Sequence, residues 1–371
     1  MEFKDLKTQY IRHREEIDRA VRQNMEAGQF IGGEPVSRLE KSLADYVGVK
    51  HCISCANGTD ALLLALMAWG VGEGDAVFVP DFTFFSTAEV VPWVNAVPVF
   101  VDIDADTFNM SPQALEKAVE RVKEEGRLTP RAVIAVDLFG QPAEYDRIRQ
   151  ITAQYDLLLL EDGAQGFGGR IGEKRACSFG DISTTSFFPV KPLGCYGDGG
   201  AVFTDNDEWA ALVRSYKVHG KGCDKYDNVR IGMNSRLDTI QAAVLLEKLR
   251  FFDGELEEMN RVAAVYTELL QGKVKTPVIL QGYYSGWAQY TVQFADERQR
   301  REAVQKLETA GIPSAVYYAK PMHMQAAFAD ISKEGIPCPV AEQICGVCLS
   351  LPMHPYLRKE EVETVCSALL S

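Results

Sequence analysis

The chain has 371 residues, 46% hydrophobic and 25% charged, a balance that fits a folded protein of roughly two or three structural units and excludes disordered, collagen-like and coiled-coil chains. Lysine and arginine number 39 against 52 aspartates and glutamates, a formal charge of -13, so the long-range field repels polyanions and no nucleic-acid partner is expected. The opening MEFKDLKTQYIRHREEIDRAV carries no signal-peptide core, no window reaches the ~18 apolar residues of a membrane span, and the nine cysteines are odd in number. A cytoplasmic protein with free thiols and no membrane partner is the expectation.

In chain order, short apolar runs recur at HCISCAN (51–57), DAVFVP (75–80), AVPVFVDI (96–103), RAVIAVDLFG (131–140), DLLLLED (156–162), DISTTSFF (181–188) and GGAVFTD (199–205), and read as strands. Amphipathic stretches at Thr59 to Trp69, Ser111 to Glu125 and Ala143 to Tyr155 lie between them as helices. This alternation predicts an α/β domain with a mainly parallel seven-stranded sheet covered on both faces, occupying residues 1–237 with an N-terminal helical arm. From Asp238 a long helical pattern runs to Leu270, followed by the strand-like WAQYTVQF, a helix near Arg298 to Ala310 and a last helix near Lys359 to Leu370. Residues 238–371 are therefore expected to form a smaller α+β domain.

Ligands of open parallel sheets bind at the carboxyl ends of the strands, and three segments there carry polar groups that packing does not need. Asn57-Gly58-Thr59-Asp60 opens an apolar helix, with Gly58 allowing close backbone approach and free amides suited to a phosphate; an ordinary Asn/Thr cap is the plainer alternative. Glu161 and Asp162 follow a run of leucines, where burial raises a carboxyl unless a cation faces it, and Gln165 follows three residues after Asp162. In SFFPVKPLGCYGDGG (186–200), Lys191 stands between Pro189 and Pro192 on a stiff loop. A desolvated lysine there can have a lowered pKa and act as a Schiff-base nucleophile, although most lysines are solvated surface groups. Lysine, carboxylate and amide nest together match the aldehyde, pyridinium nitrogen and phosphate of pyridoxal 5′-phosphate.

NGTDAL, EDGAQ, the SFFPVKPLG to GDGG run and GMNSRLDTIQAAVLLEKL (232–249) resemble the DegT/DnrJ/EryC1/StrS nucleotide-sugar aminotransferases, from FKDLKTQY to LPMHPYL. The resemblance implies the fold-type-I architecture of pyridoxal-phosphate aminotransferases, with Lys191 as the cofactor-linked lysine and proton carrier. It further implies that Asp162 holds the pyridinium proton, Gln165 lies near the phenolic oxygen, Phe84 of DFTFF stacks on the ring, and Gly58, Thr59 and Ser186 hold the phosphate. Asn234 would complete the phosphate site from a partner subunit, making the active unit a homodimer. Arg236, Tyr317, Tyr318 and His323 are the expected substrate-binding residues. Asn57 stands where serine is commonest in the family, Phe84 where Tyr or Trp is more usual, and Gly163 where alanine is frequent, so no reacting group is lost.

The implied reaction takes an amino group from L-glutamate to a nucleotide-linked keto-sugar. ISCANGTDAL, NSRLDT and LSLPMHPYL resemble family members that aminate C3 of UDP-2-acetamido-2-deoxy-3-oxo-glucuronate for surface polysaccharide. A dTDP- or UDP-linked 3- or 4-keto-6-deoxy sugar is the alternative substrate. A catalytically silent relative serving regulation is the non-enzyme alternative, against which Lys191, Asp162 and Gln165 together speak. Cys52 and Cys55, and Cys345 and Cys348, form CxxC pairs. The first pair lies inside a predicted strand, where that spacing sends the two thiols to opposite faces, and no metal site is expected. Cys195 reads as a packed thiol, Cys223 is the one candidate for a desulfurase cysteine, and His219 is open to a substrate or a structural role.

Overall fold

Strands buried on both faces read as unbroken apolar runs, and all seven runs are strands of one sheet in the computed structural model, which describes residues 1–224, 226–331 and 335–371. They are β1 (His51–Cys55), β2 (Asp75–Pro80), β3 (Val97–Val101), β4 (Thr129–Val136), β5 (Leu158–Asp162), β6 (Ile182–Ser186) and β7 (Gly200–Thr204). Their order is β1-β7-β6-β5-β4-β2-β3. The pairs from β3 through β2, β4 and β5 to β6 are parallel, and β7 runs antiparallel to both of its neighbours. The predicted run 131–140 leaves the sheet early. Asp137 draws the chain away by accepting from the Ala143 N–H (3.0 Å) and the Tyr145 hydroxyl (2.7 Å), and a single 3₁₀ turn follows at Leu138–Gly140.

The helices in chain order are α1 (Leu6–Arg12), α2 (Arg14–Ala27), α3 (Glu34–Val47), α4 (Gly58–Ala68), α5 (Ser86–Trp93), α6 (Pro112–Glu125), α7 (Tyr145–Tyr155) and α8 (Asp207–Tyr216), then α9 (Thr239–Leu270), α10 (Glu297–Thr309), α11 (Pro339–Val347) and α12 (Lys359–Leu370). Side chains alternate along β2. Val77 and Val79 pack with Leu64, Ala65 and Val90 of α4 and α5, while Ala76 and Phe78 pack with Leu115, Val119 and Ile148 of α6 and α7. The sheet is thus covered on both faces, and its carboxyl edge is left for ligands.

A second core joins Met259, Val262 and Tyr266 of α9 to the antiparallel pair β8 (Tyr290–Gln293) and β9 (Cys348–Leu351) and to Leu307 and Val365. The first half of α9 puts Leu245, Phe252 and Leu256 in a core of the large unit, so the helix is shared, and the expected boundary at 237/238 lies at its start. Sequence reading did not anticipate β9, whose CLSL follows α11 without a break. The nine cysteines are free thiols, with Cys52 and Cys55 in different cores and Cys223 exposed. No helix among the described residues is long and apolar enough to cross a membrane.

Candidate active site

The last residues of β5 set the centre of the site. Asp162 is buried and accepts hydrogen bonds from the Thr87 hydroxyl (2.9 Å) at the start of α5 and from the Ala164 N–H (3.2 Å). Burial raises its carboxyl above the ordinary value, and the Thr87 bond and the Lys191 charge oppose that rise. Lys191 comes from the loop between β6 and β7, turned by its own N–H donating to the Phe188 carbonyl at 2.8 Å. Desolvation lowers its amine, and the nearby Asp162 charge opposes that shift, so each group favours the other's charged form although, among the described residues, no hydrogen bond or ion pair joins them.

The N-terminus of α4 forms a second corner. Asn57 caps it by accepting from the Asp60 N–H at 2.8 Å, as the plain cap reading requires. The other corner residues go beyond a cap. A Cβ on Gly58 would fall 2.7 Å from the Ser186 Cβ, so only glycine lets β6 and α4 meet here. The Thr59 hydroxyl lies 2.8 Å from that of Ser86. Gly58, Thr59, Ser86 and Ser186 together make a cradle of hydroxyls and helix amides suited to an anion.

Aromatic and amide groups close the opposite side. Gln165 accepts from the Phe139 N–H (3.0 Å) and donates to the Tyr318 hydroxyl (3.1 Å), which ties the smaller unit's loop to the carboxyl edge. Burial raises the Tyr318 phenol, so it stays a neutral donor. The Phe84 ring is exposed, with its centroid 6.4 Å from that of Tyr318.

Other expected residues lie apart from this centre. His323 is held by Asp81, whose carboxylate takes both its backbone N–H (2.8 Å) and its Nδ1 (2.6 Å). The Tyr317 ring packs edge-on against Phe3. Asn234 is exposed; Ser235 beside it accepts from the Ala56 N–H at 3.0 Å, fixing this segment at the end of β1. No hydrogen bond or ion pair joins Asn234 or Arg236 to Lys191 or Asp162 within the chain, among the described residues. His219 and Cys223 are exposed. Sequence reading missed Thr87, Ser86 and Asp81, whose roles depend on partners brought close only by folding. It also missed Lys4 and His354, which line a cleft with Lys191.

The DegT/DnrJ/EryC1/StrS aminotransferase family matches residues 12–370. The chain belongs to this family. It is 46% identical, over 100% of its length and 99% of the relative's, to the UDP-2-acetamido-2-deoxy-3-oxo-D-glucuronate aminotransferase of Pseudomonas aeruginosa. A crystal structure of a DegT DnrJ EryC1 StrS aminotransferase from Brucella abortus superposes with a TM-score of 0.96 at 47% identity, covering 100% of this chain and 98% of that one. NtdA from Bacillus subtilis, solved with bound cofactor PMP, gives a TM-score of 0.87 at 27% identity over 96% of this chain and 81% of that one. The DegT-family fold is thus shared from end to end. The present site fits a cofactor of that type, because the close approach at Gly58 admits no Cβ and a desolvated amine and a buried carboxylate at the carboxyl edge each favour the other's charged form.

Proposed function

We propose that this family member moves an amino group from L-glutamate to C3 of UDP-2-acetamido-2-deoxy-3-oxo-glucuronate, using pyridoxal 5′-phosphate. The single observation that carries the reaction type is the pairing of a desolvated Lys191 with a buried Asp162 beside the glycine-floored cradle. The substrate rests on the likeness to the Pseudomonas aeruginosa enzyme along the whole chain. Gly58, Thr59 and Ser186 would hold the phosphate, Asp162 the ring nitrogen, Gln165 the phenolic oxygen and Phe84 one ring face. When bound, the cofactor supplies an electron sink for the carbon that loses its proton.

The chain's own groups then do specific work. Desolvation keeps more of the Lys191 amine neutral at working pH than a surface lysine allows, so it can take a proton from the substrate carbon and return it. The hydrogen bond from Thr87 and the N–H of Ala164 fix the Asp162 carboxylate in one orientation. Tyr318, kept neutral by burial and oriented by Gln165, offers a hydroxyl to the sugar or its phosphate. Asn234 and Arg236 reach the site of a second copy in a homodimer, a reading supported by the exposure of Asn234 and by the Ser235 tether that holds the segment beside β1.

Incubating the holoenzyme with glutamate and each keto-sugar, made in situ, and following product mass tests the substrate. The 3-amino uronate should form fastest. Preference for a 6-deoxy sugar without the carboxylate would overturn the uronate while sparing the aminotransferase reading. Mixing Lys191→Ala with Asn234→Ala, Arg236→Ala protomers should restore part of the activity; no recovery in verified mixed dimers overturns the shared site.

A further inference from the structure

Beside Lys191, the N-terminal arm and the start of α1 line a cleft together with α9 and the segment around His354. Its lining includes Lys4, Gln9, Lys191, Glu255, His354 and Tyr356, and it is a small cleft with a cavity volume of ≈ 50 Å³, room for a group the size of a carboxylate and not for a whole sugar. The arm is pinned there. The Met353 N–H donates to the Phe3 carbonyl at 3.2 Å, the Phe3 ring packs on Tyr317, and Asp5 caps α1 by accepting from the N–H (2.9 Å) and hydroxyl (2.6 Å) of Thr8.

Lys4 sits between these anchors with its direction set by them, and its amine makes no hydrogen bond or ion pair among the described residues. The acidic groups nearby are engaged elsewhere: Asp5 in its cap, and Glu255 in bonds from Gln9 Nε2 (2.8 Å) and the Tyr356 hydroxyl. His354 lines the same cleft and is buried, and its Nδ1 has no partner among the described residues. The Lys4 amine thus lies at a cleft beside the reactive lysine with no protein oxygen bound to it among the described residues, and the His354 ring, bonded to the Glu2 backbone, lines the same cleft. Leaving a buried amine unpaired costs stability, and an arriving anion recovers it.

We propose that Lys4 is a specificity-determining residue that binds a carboxylate of the reactants beside Lys191. The inference rests on the functional reading above and deepens it, because both the uronic acid and glutamate carry a carboxylate besides the groups that react. The electrostatics agree with the geometry. Burial first, and then the Lys191 charge, pull the Lys4 amine down to about 7, so an unliganded Lys4 is poised between neutral and charged. A carboxylate binds the charged form and raises that value, so acidic-ligand affinity falls as pH rises through about 7 and binding takes up a proton. The neighbouring His354, lowered to about 4 chiefly by burial and further by Lys4, with Asp5 opposing, stays neutral across this range and does not compete for the proton.

The experiment compares the wild-type holoenzyme with Lys4→Met and Lys4→Arg. Titration calorimetry measures binding of UDP-2-acetamido-2-deoxy-glucuronate, which has no keto group to react, against UDP-N-acetylglucosamine, and steady-state kinetics compare L-glutamate with L-alanine as donor. Lys4→Met should lower the acidic-to-neutral ratio about ten- to a hundredfold, and Lys4→Arg should restore most of it. A lowered ratio for the nucleotide assigns Lys4 to the sugar carboxylate, and one for the donor pair assigns it to glutamate. Unchanged ratios in both, or equal weakening of acidic and neutral ligands, overturns the proposal. A wild-type enzyme that aminates no keto-sugar breaks the functional reading instead, before any variant is compared.

Discussion

Glu161 and Asp162 end the same strand, both buried and both with carboxyls raised by burial, yet alternation along β5 points them to opposite faces. Glu161 accepts the N–H groups of Cys177 (2.5 Å), Phe179 (2.6 Å) and Gly180 (3.2 Å) and the Ser183 hydroxyl (2.8 Å). Its hydrogen-bonding capacity is spent on closing a loop. Asp162 accepts two bonds and faces Lys191. Burial and a raised pKa therefore do not separate a structural carboxylate from a reactive one. Unspent hydrogen-bonding capacity beside an opposite charge does.

Substitutions can break this comparison. Asp162→Asn should cut kcat/KM with glutamate by about 10²–10³-fold while leaving the denaturation midpoint nearly in place, since the amide keeps the Thr87 contact but not the charge. A small kinetic loss with a large stability loss would make Asp162 structural. Glu161→Ala should do the reverse. Three buried N–H groups and a hydroxyl lose their acceptor, and urea unfolding should show a loss of about 3–5 kcal/mol, with the remaining folded protein still turning over.

A smaller effect is pH-dependent. Asp137 lies beside Glu161, and burial together with the Glu161 charge pushes it well above the carboxylate range. A carboxyl raised in the folded state contributes stability below its unfolded value of about 4, and that contribution is lost as pH rises through the raised value. Stability measured across that range should decline less steeply in Glu161→Gln, which removes one of the repelling charges. An identical slope would mean that neither the titration of Glu161 nor its repulsion of Asp137 contributes to the pH dependence.

Much of this contrast was legible in the sequence. The seven strands announce themselves because both faces of the sheet are covered, and Lys191, Asp162 and Gly58 stand out as groups that a packed core does not require. The contrast between Glu161 and Asp162 was not legible, since it lies in the partners: Phe179 and Gly180 for one, Thr87 for the other, separated from them by 18 to 75 positions in sequence. Lys4 and His354 were hidden for the same reason, being 350 residues apart and joined at one cleft. Asn234 and Arg236 belong to a proposed contact between chains, which no spacing within one chain encodes.

The central claim is that Lys191 is the group that engages the cofactor. Reducing the holoenzyme with borohydride and mapping its peptides by mass tests it most directly. The chain should lose its visible absorption and carry one phosphopyridoxyl group, on Lys191. A label on another lysine, or amine transfer sustained at normal rate by Lys191→Ala, would contradict it.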